Sequence, residues 1–252
     1  MLKAKYHDVE FELDIVSLVV SASSHFNIFR KKGILGKLKE PITLVSSNLY
    51  ALEAGTKINT PNGQFQAAPL LKPNPDGTAM PIRSGFLVTG MYDVFGQIEI
   101  VSALSRSKFS FEISYDSDPN VNKYDNLICF GSPSSNRISG ETFNSLKSVL
   151  YGSFQWGSGY NSFSIEKELF NRGDEGVILF HDSPWNPDRK VLILAGLGPM
   201  GTLACCKAAS KWDICAVSKK QKNASNFIAG VKYNLLDKNM MKPLVKRFVY
   251  LG

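Results

Sequence analysis

Apolar positions along this chain fall into two habits: unbroken runs of four to seven residues, and one long stripe at helical period. The tetrads Val177-Ile-Leu-Phe180 and Val191-Leu-Ile-Leu194 flank Pro184-Trp185-Asn186-Pro187, which predicts two buried strands paired across a turn. Further runs at 14–20, 127–130 and 212–217 predict buried strands, and 109–115 alternates as a half-buried one. Met91, Val94, Phe95, Ile98, Val101 and Leu104 share one face at the 3.6 period, so a helix is expected over 91–105. Shorter helices are expected at 26–38, at 139–150 (capped by Ser139 or Gly140, with Glu141 in the first turn) and at 200–211.

Two regions break the alternation. Residues 40–82 carry prolines at 41, 61, 69, 73, 75 and 81, with a hairpin signal of 56–59 against 64–66 around Pro61-Asn62-Gly63. They read as an irregular β-rich insert. Residues 152–176 hold aromatics and glycines without a clear period. The end reads as a β-hairpin, 227–235 against 244–251. The expectation is a single α/β domain over 1–252: a three-layer Rossmann-like sandwich with a largely parallel sheet, the insert and the C-terminal hairpin. The core is expected to include Val16, Leu18, Val20, Phe95, Ile98, Leu127, Cys129, Ile178, Leu192, Leu194, Ala204 and Ile214.

Candidate chemistry gathers where apolar runs end. After the run at 191–194 come Gly196, Gly198, Gly201 and Thr202, the G-x-G-x-x-G spacing between a strand and a helix. A helix N-terminus leaves backbone N–H groups unpaired, and these attract phosphate. In that reading Gly198 admits a ligand, Gly201 lets helix and strand pack, and Thr202 adds a hydroxyl. The competing reading is a glycine turn needed for packing alone. Past the next strand stand Lys219 and Lys220, where an NAD site has an acidic residue, so the cofactor expected is NADP or another nucleotide rather than NAD.

Two further loops share this chemistry. Ser132, Ser134, Ser135 and Asn136 follow the run at 127–130, and Ser23, Ser24 and His25 follow the run at 14–20. If these strands are parallel, all three loops open on one sheet edge, where open α/β sheets bind ligands. Arg83, beside Ser84-Gly85 ahead of the long helix, is a candidate phosphate clamp, and His181 in His181-Asp182-Ser183 a candidate ligand contact or general acid.

Charge and cysteines narrow the classes. A net charge of +7 favours anionic partners, yet the basic residues are dispersed, so nucleic acid is the less favoured partner and a protein partner stays open. Cys129, Cys205, Cys206 and Cys215 show no CxxC spacing, and the three histidines are far apart, so no metal site is expected. With no signal-peptide core and no apolar run of membrane-spanning length, the expected location is cytoplasmic, without membrane contact.

The segments 14–24, 125–136 and 196–202 resemble those of Rossmann-like nucleotide-handling domains of the nucleoside deoxyribosyltransferase, TIR and SLOG types. The resemblance covers about a third of the chain. It implies a nucleotide-type ligand in the carboxyl-edge loops and a helical glutamate acting on a ribosyl carbon, a role that falls here on Glu99. Three functions follow in order of preference. The first is a sensor or accessory module for a nucleotide, NAD(P) or ADP-ribose. The second is a hydrolase or transferase at a nucleoside or NAD N-glycosidic bond using Glu99. The third is a non-catalytic protein or nucleic-acid interaction module.

Overall fold

Strands that read as unbroken apolar runs must be buried on both faces, and here they become the interior of a seven-stranded sheet. A computed structural model describes residues 34–47, 92–116, 118, 121–210, 226–233 and 243–251 in full. It also describes the backbone of 2–6, 9–13, 49–50, 57–60, 63–66, 71–73, 79–81, 87–88 and 91. The strands predicted at 14–20 and 212–217, the helix start at 26–33 and core positions Val16, Leu18, Val20 and Ile214 lie outside these residues.

Strands β1 (Leu2–Tyr6) and β2 (Val9–Leu13) form an antiparallel hairpin. Strand β3 (Ile42–Ser46) follows a single 3-10 turn at Leu35–Lys37. Next come β4 (Leu49–Tyr50), β5 (Lys57–Thr60), β6 (Gly63–Gln66), β7 (Leu71–Pro73), β8 (Ala79–Pro81) and β9 (Leu87–Val88). The chain continues through helix α1 (Met91–Arg106), β10 (Phe111–Tyr115), β11 (Asn126–Phe130), α2 (Arg137–Ser145) and the short α3 (Lys147–Leu150). Strands β12 (Phe154–Trp156), β13 (Phe163–Ile165) and β14 (Glu168–Phe170) precede the pair β15 (Glu175–Asp182) and β16 (Lys190–Gly196). Helix α4 (Pro199–Ser210), β17 (Phe227–Tyr233) and β18 (Pro243–Tyr250) complete the series.

The main sheet has the order β10-β3-β11-β16-β15-β17-β18. Its first four strands are parallel neighbours, and β15, β17 and β18 add antiparallel, so five of the seven strands point the same way. Both faces are covered. Alternate residues of β3 and β11 (Ile42, Leu44, Ile128, Phe130) pack with α1 and α4 on one face. Val45, Leu127 and Cys129 pack with α2, α3 and β12–β14 on the other. The chain thus alternates helices and strands in a mixed α/β fold.

Several sequence expectations change against this frame. Residues 42–46 belong to the main sheet, with all five residues buried, although the prolines around them suggested an insert from residue 40. The chain clusters into two compact units, Met1–Ser47 with Gly90–Gly252 and Asn48–Thr89. The second unit holds three two-stranded antiparallel pairs: β4 with β9, β5 with β6 across Pro61-Asn62, and β7 with β8.

Helix α1 buries part of its predicted stripe and turns the rest outward. Val101 and Leu104 are buried, but Phe95 is 46% exposed and Ile98 only partly buried, while Gly96 and Ile100, outside the stripe, face the core. The reason is helix packing. A Cβ on Gly96 would sit 2.8 Å from the Cys206 sulfur, so α1 crosses α4 at its smallest residue, and that contact sets the buried face.

Residues 152–176, without period, form the three-stranded meander β12–β14. It is held by Phe143, Phe154, Trp156, Phe163 and Phe170, whose rings pair at centroid distances from 4.6 to 5.9 Å. The remaining described core positions, Leu127, Cys129, Ile178, Leu192, Leu194 and Ala204, are all buried. No helix among the described residues is long and apolar enough to cross a membrane.

Candidate functional site

In-register parallel pairing of β3 with β11 and of β11 with β16 brings the ends of three strands to one edge of the sheet. On that carboxyl edge lie Ser46-Ser47, then Gly131 to Asn136, then Gly196 to Thr202. Strand β10 adds Asp116, whose N–H extends the ladder to the Ser46 carbonyl at 2.9 Å. The connections diverge here: β3 and β16 lead to helices on one face, β11 to a helix on the other. In open α/β sheets, divergence of this kind marks the edge where ligands bind; here the unit Asn48–Thr89 lies in the chain between β3 and α1.

The glycine turn is tightly packed against the chain itself. A Cβ on Gly201 would overlap the Glu175 carbonyl, and one on Gly196 would overlap the Thr202 nitrogen. One on Gly198 would stand 3.0 Å from the Gly173 carbonyl oxygen. First-turn donors of α4 are used internally: Gly201 N–H donates to Gly173 O (3.1 Å) and Thr202 N–H to Gly198 O (3.1 Å). Thr202 is buried, and its hydroxyl oxygen accepts from Gly196 N–H at 3.3 Å.

The serine loop is organised the same way. Asn136, almost fully buried, donates to the Val45 and Phe130 carbonyls, both at 3.1 Å, and so ties the ends of β3 and β11 together. Its oxygen accepts from Ser139 N–H (3.1 Å), making Asn136 the cap of α2 in place of the expected Ser139 or Gly140. Local bonding explains the shift: a planar amide satisfies two carbonyls and one N–H at once, which a serine hydroxyl cannot. The Asp116 carboxylate accepts Arg137 N–H at 2.8 Å, a second internal partner for that helix end. Ser132 and Ser134 hydroxyls pair at 2.8 Å, and Ser135 donates to the Ser132 carbonyl at 3.2 Å.

Helix α1 delivers two groups that sequence reasoning passed over. Gln97 donates to the Ser46 hydroxyl at 2.8 Å. Asp93, one turn earlier, is partly buried; burial raises its pKa from the ordinary 3.8, and a hydrogen bond from Thr202 opposes the rise. With Gln97 at the end of β3 and Asp93 against Thr202 beyond β16, this face of α1 spans the end of β11 between them. Glu99 lies six residues beyond Asp93, about 9 Å along the helix axis, and both carboxylates add to burial in pushing the Cys206 thiol up. The signal for Ser46-Ser47 was legible: Ile42-Thr-Leu-Val closing in Ser-Ser-Asn repeats the pattern that singled out 14–24.

His181 stands at the opposite edge. The connection from β15 to β16 makes them antiparallel, pairing Gly176 with Gly196 but His181 with Val191. That separation is five residues, about 17 Å along the strand. His181 Nδ1 donates to the Asp182 carbonyl at 2.9 Å, and the buried Nε2 has no hydrogen-bond partner among the described residues. Ser23, Ser24, His25, Arg83, Lys219 and Lys220 lie outside the described residues.

Burial pushes the thiols of Cys129, Cys205 and Cys206 well above their usual range, so all three are unreactive packing groups. Among the described residues no three side chains of metal-ligating type cluster together. Compared with known protein families, curated proteins and solved structures, the chain matches none of them.

Proposed function

We propose that the chain binds a nucleotide-derived ligand at the carboxyl edge of a three-layer Rossmann-like sandwich, as a sensor or accessory module. One observation carries this reading: parallel, adjacent β3, β11 and β16 gather Ser46-Ser47, Gly131–Asn136 and Gly196–Thr202 on an edge whose connections leave toward opposite faces. Hydroxyl-bearing residues stand at all three strand ends, and the Gln97 amide and Asp93 carboxyl supply further directional partners.

The test is a thermal-shift titration of purified protein with AMP, NAD, NADP, ADP-ribose and cyclic dinucleotides, repeated on Ser132→Val. A ligand at a hundredfold its dissociation constant adds about 2.7 kcal/mol. The expected result is a shift in the wild type that Ser132→Val abolishes while leaving the unliganded midpoint within a few degrees. Absence of any shift sinks the reading.

A catalytic version, cleavage or transfer at an N-glycosidic bond, needs a carboxyl group at the reacting carbon. Asp93 is better placed for it than Glu99, because it meets the end of β16 through Thr202. Release of nicotinamide from NAD, lost in Asp93→Asn and retained in Glu99→Gln, is the outcome that distinguishes this version. The interaction-module reading predicts instead nucleic-acid affinity that falls steeply with salt.

A further inference from the structure

Both long helices that start at loops of the carboxyl edge have their N-termini occupied from within. At α2 the occupant is an acid: the Asp116 carboxylate accepts Arg137 N–H at 2.8 Å and is itself buried, while Asn136 takes Ser139 N–H. At α4 the occupant is the Gly173 carbonyl, which takes Gly201 N–H and packs against Gly198. These N–H groups are the ones a phosphate would need.

The charges around the same edge point the same way. Asp93 lies at the start of α1, Asp116 at the end of β10, and Asp174 and Glu175 at the start of antiparallel β15, whose Gly176 pairs with Gly196. Glu175 is directed back into its own turn, accepting the N–H groups of Asn171 (2.9 Å) and Arg172 (3.0 Å). Among the described residues two arginines stand near, and both are engaged: Arg172 with Asp174 at 3.2 Å, and Arg137 with Glu141 at 2.7 Å and the Asp116 carbonyl at 2.9 Å. Among the described residues, a chain of net charge +7 places acids where its strands end.

Resting on the proposal that this edge holds the ligand, we infer that it recognises the nucleoside portion, ribose and base, and excludes phosphate, with Asp116 as the specificity-determining residue. Hydroxyl, amide and carboxyl partners suit ribose hydroxyls and base edges. A phosphate would meet a carboxylate already seated on the helix end, and like charges at contact distance in a partly buried site repel.

Two measurements test this. The first compares adenosine, AMP and inorganic pyrophosphate by calorimetry at fixed ionic strength. Adenosine and AMP should bind within about threefold of each other, under 1 kcal/mol, and pyrophosphate should give no heat. AMP tighter than adenosine by about tenfold or more overturns the inference and leaves the ligand edge standing. No binding by either removes both.

The second measurement needs no nucleoside. Asp116→Ala vacates the α2 N-terminus, whereas Asp116→Asn keeps an acceptor for Arg137 N–H and removes the charge. Inorganic sulfate, against chloride of equal ionic strength, should raise the melting temperature of Asp116→Ala and leave that of wild type and Asp116→Asn unchanged. Equal sulfate stabilisation of wild type and Asp116→Ala overturns the role of Asp116. If Asp116→Ala does not fold, Asp116→Asn decides through the first measurement: AMP should gain on adenosine once the charge is gone, and an unchanged ratio counts against the inference.

Discussion

At the amino edge of the main sheet, Asn126, Asp125 and the charged Lys190, Asp182 and Arg189 reach across between strands; at the carboxyl edge, one amide, Asn136, joins the strand ends and serines and glycines fill the rest. Asn126 spans the amino edge, donating to the Lys39 and Pro41 carbonyls and accepting Lys190 N–H at 2.8 Å. Beside it Asp125 accepts from Thr43 and Asn122, both at 3.0 Å. Lys190 pairs with Asp182 and Asn226 above the Phe180 ring. Arg189 donates to the Glu40 carbonyl at 3.0 Å, and the Glu40 carboxylate takes Ser110 N–H at 2.7 Å.

The carboxyl edge holds Ser46, Ser47, Gly131, Ser132, Gly196 and Gly198 instead, bridged by Asn136 and roofed by Asp93 and Gln97. Polar side chains at the amino edge tie strand to strand, and the proposed function assigns those at the carboxyl edge a second task, contact with a ligand. Side chains that join strands to one another cannot be removed without leaving buried partners unsatisfied. At the carboxyl edge the glycines admit their own neighbours, Thr202 N at Gly196 and the Glu175 carbonyl at Gly201, and the serine hydroxyls carry the ligand contacts of the proposed function.

The largest effect expected is at the one place where the carboxyl edge is as rigid as the other. Gly201→Val drives a side chain into the Glu175 carbonyl, a backbone atom of β15 that cannot yield without disturbing the β15–β16 pair. A loss above about 4 kcal/mol, or failure to fold, is expected in urea denaturation. A stable Gly201→Val would mean that the turn is looser than its contacts imply.

Next, Asn126→Ala should cost about 2 kcal/mol by removing the amide from the Lys39 carbonyl and from Lys190 N–H, while the Pro41 carbonyl keeps the Asn126 backbone N–H. Ser132→Ala should cost about 1 kcal/mol or less, since it removes only one hydroxyl pair. Equal losses at the two positions would erase the contrast between the edges.

Smaller effects have opposite signs in pH. Burial works against ionising Asp182, but bonds from Lys190 and Asn226 outweigh it and hold its pKa below the ordinary 3.8. The stability it contributes is present above its unfolded pKa and lost as pH falls through the lower folded value. Lys190→Met should weaken that acid-side dependence. Asp93 runs the other way, its folded pKa being raised mainly by burial. Its contribution is complete below the unfolded pKa and lost as pH rises through the folded value. Asp93→Asn should therefore melt higher than wild type at neutral pH, with the gain vanishing below about pH 4. Melting curves across the acid range read both.

Local pattern made much of the fold legible. The β15–β16 pair, α1, β11, α4 and the β17–β18 hairpin stand where period and turn residues put them, because each is defined by contacts among near neighbours in the chain. What escaped was the face of α1, since Gly96 buries less apolar area than Phe95 and matters only through Cys206 on another helix. Strand β3 escaped because its proline-rich surroundings resemble a loop. Of the site, the serine and glycine loops were visible as residue types, while Asp93 and Gln97 looked like ordinary solvent-facing positions of a helix.

From the sequence alone follow the unbroken strands, the amphipathic helix, the absence of metal-binding spacing, and the small polar residues closing the 127–130 and 191–194 runs. Hydrophobic period and backbone sterics act over a few residues, and a chain carries them wherever it folds. Only the tertiary structure decided that Ser46-Ser47 belongs with those loops, that His181 stands at the far edge, and that Gly173 and Asp116 already occupy the helix ends. Those outcomes depend on which strands pair and in which direction, and strand pairing joins residues up to 84 positions apart, beyond the reach of any local pattern.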